Sequence, residues 1–270
     1  MSLIYTGSMR LILHPQDDGR KNMAVDEALL ESVSNGESAP VIRFYGFSPP
    51  ILSVGRFQRA RQEIDLEKLK ESGFLFTRRP SGGRAVLHTQ ELTYSVILGK
   101  KHIRPFGKRE VYKSIAPILL KGLKFLGFYD AVFKTHRQGD PFNPDCFAST
   151  GEYEIATKGG KKLIGSAQMI TRSAVLQHGS LPLTKAGREI TRYLVANGKP
   201  ENKYIEEKHH TSIEEELGSV VSFEEARDAF CRAAKTLILT QNSSLTVKEE
   251  QRAYQLFYTK YTRDSWNLGI

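Results

Sequence analysis

Residues 78–88 read RRPSGGRAVLH. Two arginines lead in, Gly82 and Gly83 sit side by side, Arg84 follows, and His88 closes an apolar triplet. Two local structures suit paired glycines between β-prone runs. One is a hairpin turn, since glycine supplies the positive φ that tight turns between strands require. The other is a loop laid against a ligand, because a residue without Cβ permits the closest approach. The stretch lacks the GK[ST] ending of a P-loop and the spacing of a dinucleotide fingerprint, so it lends phosphate cradling little support.

Outward from this loop the patterns are mixed. FLFTRR (74–79) and RAVLH (84–88) read as strands on either side of it, and VIRFYGF (41–47) and ILSVG (51–55) as strands split by Pro49-Pro50. LTYSVIL (92–98) alternates Leu92, Tyr94, Val96 and Leu98 against Thr93, Ser95 and Ile97, the pattern of a strand buried mainly on one face. EYEIAT, KLIGSAQMI and AVLQHGSL follow as three strands joined by the turns KGGK and TRS. Helices are expected over 21–34, over DLEKLKESG (65–73), and over 109–127, where Tyr112, Ile115, Leu119, Leu123 and Leu126 form one stripe and Pro117 is a candidate kink. SFEE (222–225) and TVKE (246–249) are capping boxes in a helical C-terminal part. Clustered strands flanked by helices, without regular βαβ alternation, predict an α+β fold with a mixed central β-sheet. The 270 residues suit one domain, with a sheet-rich core over about 20–183 and a helical part over about 184–270.

Composition narrows the classes. At 40% hydrophobic and 26% charged residues the chain can bury a core, and global disorder is excluded. No apolar run approaches the ~18 residues of a membrane span, and no secretory leader is read at the start. Only two cysteines occur, far apart, which gives no disulfide framework and points to a reducing, cytoplasmic setting. His209 and His210 are adjacent, but no H-E-x-x-H spacing exists, so no metal is expected. The net charge of +9 favours acidic partners. The basic residues are spread along the chain, and no nucleic-acid reading motif accompanies them.

Among candidate residues, Cys146 lies in the Pro/Gly-rich loop THRQGDPFNPDCFAST (135–150), which suits either a reactive thiol or an idle loop cysteine. Cys231 sits beside the helical stripe of Phe223, Ala226, Phe230, Ala233 and Leu237 and reads as inert. Lys162 ends the hairpin TKGGKK. It reads as a solvated charge or as a cation over the space left by Gly165, Ser166 and Ala167. His88 and His178 each end or interrupt an apolar strand and read by themselves as hydrogen-bonded core histidines. Spacing supports no Ser-His-Asp order.

Taken together, these segments resemble a known family. RRPSGGRAVLH resembles the Arg-Arg-x-x-Gly-Gly loop of the biotin- and lipoate-protein ligase superfamily, and KLIGSAQ (162–168) its Lys-x-x-Gly-Ser-Ala segment. The likeness extends through VIRFYGFSPPILSVGRFQ, QELTYSVI and LQHGSL, and more weakly to YTKYTRDSW. Within the superfamily the chain looks most like the cysteine-dependent octanoyltransferases of lipoate synthesis, whose nucleophile lies in the loop before the lysine hairpin, here NPDCFAST. The resemblance implies a biotin/lipoate ligase-like catalytic domain. It implies transfer of an octanoyl group from octanoyl-acyl carrier protein to a lysine of a lipoyl-domain protein, such as a glycine cleavage H protein or a dehydrogenase E2 subunit. Cys146 would carry the acyl group as a thioester, and Lys162 would favour the thiolate and meet the oxyanion. Arg79, Ser81, Gly82, Gly83, His88, Gly165, Ser166, Ala167, His178 and Gly179 would form the acyl site, with the glycine pair lining a tunnel and the arginines structural or facing an acidic partner. No metal, nucleotide or other cofactor is implied. Thr89 departs from the aspartate common after the histidine. Alternative readings are octanoyl amidotransfer between lipoyl-domain proteins, an ATP-dependent lipoate ligase, and a basic nucleic-acid-binding module.

Overall fold

The computed structural model describes residues 7–134, 138–139, 149–150, 154–196, 199–200 and 210–269. Cys146 and His209 lie outside the described residues.

The strands longer than two residues are β1 (Met9–Asp17), β2 (Val41–Phe47), β3 (Ile51–Val54), β4 (Leu75–Arg78), β5 (Val86–His88), β6 (Glu91–Gly99), β7 (Ala131–Lys134), β8 (Glu154–Thr157), β9 (Lys162–Ile170), β10 (Ala174–Pro182) and β11 (Thr240–Asn242). The helices used below are α1 (Gly19–Ser34), α2 (Leu66–Glu71), α3 (Lys108–Phe125), α4 (Phe223–Leu237), α5 (Val247–Leu256) and α6 (Asp264–Asn267). Eight strands form one sheet in the order β11-β1-β2-β6-β10-β9-β8-β7. β1 runs parallel to both its neighbours, and the remaining pairs are antiparallel. The fold is therefore α+β with a mixed sheet, as the strand clustering predicts. The sheet reaches beyond residues 20–183, because β1 precedes that span and β11 lies inside the stretch expected to be helical.

Helices cover both faces of the sheet. Leu92, Tyr94, Val96 and Leu98 of β6 join α3 and α4 in one core cluster through Ile115, Leu119 and Phe230. Ile97 joins the opposite cluster with Met23, Leu29 and Val33 of α1 and Leu256 of α5. All nine residues of β6 are consequently buried, which corrects the expectation of a strand buried mainly on one face. α4 and α5 open on the Ser222/Glu225 and Thr246/Glu249 capping boxes read from the sequence, each with its reciprocal pair of hydrogen bonds.

The glycine loop is not a hairpin. β4 and β5 do not pair with each other. They flank β3, parallel on one edge and antiparallel on the other. Residues 79–85 therefore cross over the end of β3, and Arg79 N donates to Val54 O and Arg56 N to Ser81 O. At the crossing a Cβ on Gly55 would fall 1.9 Å from Gly83 O, while Gly83 itself has φ +94°. Glycine is needed at both positions, once for close backbone approach and once for a left-handed conformation.

Candidate active site

Both arginines that lead into the loop are spent on holding it. Arg78 is buried, and its Nη1 donates to the carbonyls of Gly55, Arg56 and Gln58 at 2.8–3.0 Å. α6 clamps the same residue: Arg78 N donates to Asn267 Oδ1 (3.0 Å), and Trp266 Nε1 donates to Arg78 O (2.8 Å). Arg79 donates to Ser53 Oγ (3.2 Å) and to the carbonyls of Gly82 and Arg84. Neither faces outward toward an acidic partner, and the structural half of the expectation holds for both.

Held this way, the loop faces β9 and β10 across a narrow cavity that opens to solvent. Its wall includes seven of the residues singled out from the sequence: Arg79, His88, Gly165, Ser166, Ala167, His178 and Gly179. Met23, Tyr45, Phe47 and Val86 give it an apolar lining. Ser81 stands behind the wall, bonded to His178. A Cβ on Gly83 would stand 3.8 Å from Ala167 Cβ, so the loop tip approaches β9. Tyr94 Oη and Ser166 Oγ share a hydrogen bond at 2.7 Å. Burial pushes the Tyr94 phenol up to about 12, against its hydrogen bonds to Ser166 and Gln177.

Each wall histidine sits between a hydroxyl and a carboxylate. His88 Nε2 lies 2.8 Å from Ser53 Oγ and its Nδ1 2.8 Å from Glu91 Oε1, with the ring stacked on Phe47 at a centroid distance of 4.1 Å. His178 Nε2 lies 2.5 Å from Ser81 Oγ and its Nδ1 3.5 Å from Asp26 Oδ2. Spacing gave no hint of a Ser-His-Asp order, yet the fold assembles Ser81-His178-Asp26 and a Ser53-His88-Glu91 counterpart. Burial holds the His178 pKa below its ordinary value although the Asp26 hydrogen bond opposes it, so the ring is neutral near pH 7. A carboxylate can only accept, which puts the ring proton on Nδ1 and makes Nε2 the acceptor of the Ser81 hydroxyl.

Asp26 anchors a wider network that sequence reasoning missed. It is fully buried and accepts from Arg43 Nη1 (2.8 Å), Tyr45 Oη (2.8 Å) and Ser95 Oγ (2.9 Å). Burial alone raises a carboxyl pKa, but the His178 hydrogen bond and the Arg43 charge outweigh it and hold Asp26 below the usual range. Arg43 Nε also donates to His14 Nδ1 at 2.9 Å, and burial, then the Arg43 charge, press the His14 pKa down to about 4. A signal was present in the sequence: Asp26 falls on the same helical stripe as Met23, Leu30 and Val33.

Lys162 is not a solvated hairpin residue. It is 1% exposed, and its Nζ donates to Glu154 Oε1 at 2.7 Å. Residues 210 and 211 lie alongside it, with Thr211 N donating to Lys162 O. Lys162 stands three residues before Gly165, outside the cavity wall, while Lys161 points outward with 46% of its side chain exposed. Cys231 is buried, and burial pushes its thiol pKa up, in keeping with an inert role. Among the described residues no group of three or more His, Cys, Asp or Glu could hold a metal, and no helix is long and apolar enough to cross a membrane.

Residues 18–235 match the lipoyl protein ligase A/B catalytic domain. The chain belongs to that family. It is 39% identical over 263 residues to the octanoyltransferase LipM of Geobacillus kaustophilus, covering 92% of this chain and 93% of that one. With the octanoyltransferase LipM of Symbiobacterium thermophilum it shares 38% identity over 260 residues, 93% and 94% of the two chains. Among solved structures, the bi-partite lipoate protein ligase of Thermoplasma acidophilum superposes with a TM-score of 0.75 at 25% identity, covering 97% of this chain and 96% of that chain. A lipoate-protein ligase A bound with ATP gives the same score and identity over 97% and 99%.

Proposed function

We propose that this protein is an octanoyltransferase of lipoate biosynthesis and that it carries the octanoyl group on Cys146. The observation that carries the reading is the match to octanoyltransferases over more than nine-tenths of both chains, in a protein whose sequence has a cysteine, Cys146, ahead of its buried lysine. The apolar lining of the cavity suits an acyl tail. The Cys146 thiolate attacks the carbonyl carbon of octanoyl-acyl carrier protein. The tetrahedral adduct collapses by breaking the bond to the carrier sulfur, which leaves as a thiolate. The amine of a lipoyl-domain lysine then attacks the enzyme thioester, loses its proton and takes the octanoyl group as an amide, returning Cys146 as thiolate. Lys162, anchored by Glu154, supplies a fixed cation that favours this thiolate. A reducing compartment such as the cytoplasm suits a mechanism that depends on a free thiol. The net charge of +9 suits acidic carrier and lipoyl domains by electrostatic steering.

Incubation with octanoyl carrier protein alone tests this. One hydroxylamine-labile octanoyl group should appear on the enzyme, vanish in Cys146→Ala and persist in Cys231→Ala. Labelling that survives loss of Cys146 ends the thioester mechanism. Because a solved neighbour binds ATP, the same assay should include octanoylated lipoyl protein and free octanoate with ATP as rival donors. Pyrophosphate release with the last would move the protein to the ligases.

A further inference from the structure

Among the described residues, one hydroxyl in the cavity wall makes no hydrogen bond. Ser180 is 5% exposed and lines the cavity, and among the described residues its Oγ has no hydrogen-bond partner. The other wall hydroxyls are all engaged: Tyr45 on Asp26, Ser53 on His88, Thr93 on Glu91, and Ser166 with Tyr94. Buried hydroxyls are ordinarily paired, and leaving one unpaired is unfavourable. Its place is also specific. Side chains alternate along β10, so Ser180 follows Leu176 and His178 on the face toward α1. It stands opposite Gly165 of β9 and Thr93 of β6, at the Lys162 end of the cavity.

We infer that Ser180 is a substrate-contacting residue whose hydroxyl donates a hydrogen bond to the acyl carbonyl oxygen. An octanoyl chain offers a single acceptor, its carbonyl, so a lone donor in a wall made for that chain has one partner to meet. When the thiolate adds, the carbonyl π pair moves onto that oxygen, and the Ser180 bond becomes charge-assisted and stronger. No proton is transferred. Ser180 thus joins the oxyanion site, and the inference rests on the octanoyl reading above.

The test uses Ser180→Ala and Ser180→Thr in the full chain. Ser180→Ala should melt no lower than the parent, because the hydroxyl it removes is unpaired without substrate. Its single-turnover acylation by octanoyl carrier protein should fall on the order of a hundredfold. In the octanoyl-enzyme, the ¹³C-labelled thioester carbonyl band should move to higher wavenumber, and Ser180→Thr should restore part of both effects. Binding of octanamide, followed by calorimetry, should weaken several-fold to about tenfold in Ser180→Ala. Parental acylation with an unmoved band overturns the inference, as does a loss of rate matched by a lower melting temperature and unchanged octanamide affinity. If the parent itself takes no octanoyl group on Cys146, the thioester reading fails separately. The octanamide titration then decides Ser180, and equal affinity in parent and Ser180→Ala overturns its role.

Discussion

Asp26→Asn tests the polar network behind the cavity. The substitution keeps the side chain's shape but removes its charge, stranding the Arg43 guanidinium at 1% exposure. It also replaces an oxygen that accepts hydrogen bonds with an amide that donates, against Tyr45 and Ser95 hydroxyls already placed to give protons. Breaking one side of a buried ion pair typically costs about 3–5 kcal/mol, because the remaining charge stays desolvated. Unfolding entropy near 60 °C is about 2.1 cal/mol/K per residue, hence about 0.57 kcal/mol/K for a chain of this length. The melting temperature should then drop by about 5–9 °C in scanning calorimetry. Adding Arg43→Met removes the stranded charge, so the double variant should recover at least half of the loss. A loss below about 1 kcal/mol, or a double variant as unstable as the summed singles, refutes the view that these charges hold each other in place.

Gly55→Ala puts a methyl group 1.9 Å from Gly83 O and should displace the loop, with acyl transfer falling more than about tenfold, whereas Gly36→Ala, at φ +76° with no neighbour, should cost only about 1 kcal/mol and leave transfer intact. Equal transfer rates in the two would show that the crossing does not shape the site. Lys162→Ala should raise the pH midpoint of Cys146 alkylation toward about 8.5, the value of an unperturbed thiol, while Lys161→Ala, changing an exposed side chain, should not. Matching midpoints in these two variants would place the activating cation elsewhere. Stability itself should depend on pH in two windows. His14, His102 and His178 are held below their ordinary value, chiefly by burial, so the unfolded chain takes up protons first and stability should decline as pH falls from about 6.5 toward the folded values. Asp26 and Glu249 are depressed carboxyls despite the opposing effect of burial, so their contribution is complete above about pH 4.3 and is lost as pH drops through the folded values. Urea midpoints that stay level from pH 7.5 to 5 would contradict the first window.

The parts of this fold that could be read from sequence are those specified locally. The helix expected over 21–34 forms as Gly19–Ser34, and that over 109–127 as Lys108–Phe125, running through Pro117. Their apolar stripes repeat every three to four residues, and the capping side chains of α4 and α5 lie within three residues of the groups they satisfy. β1 escaped notice because Pro15 and polar residues interrupt its alternation. β11, Thr-Gln-Asn, has no apolar residue at all, and its structure is imposed by the open edge of β1. The hairpin reading of the glycine loop was likewise a local one. It could not foresee β3, more than twenty residues earlier, lying between the two flanking strands. Lys162 looked exposed because hairpin ends usually are, yet residues 210 and 211 cover it from a distance no spacing rule reaches. Asp26 and Arg43 were each visible as a charge in an apolar run, but their pairing joins a helix to a strand. The seven wall residues expected from sequence were found through the resemblance, since nothing in spacing alone brings the loop to β9 and β10.

The clamp of Trp266 and Asn267 on Arg78 ties loop geometry to the order in which the chain is made. On a ribosome, residues 78–88 emerge almost 180 residues before their restraint, and at ordinary synthesis speeds of ~5–20 residues per second that interval lasts on the order of ten seconds or more. During it the crossover over β3 lacks its outer brace, and the sheet lacks β11 beside β1. The glycine loop therefore takes its final form only as α6 docks. A nascent chain that stops short of α6 can have most of its core in place and still present a loose glycine loop, so that competence for acyl transfer reports on whether α6 has been made and docked.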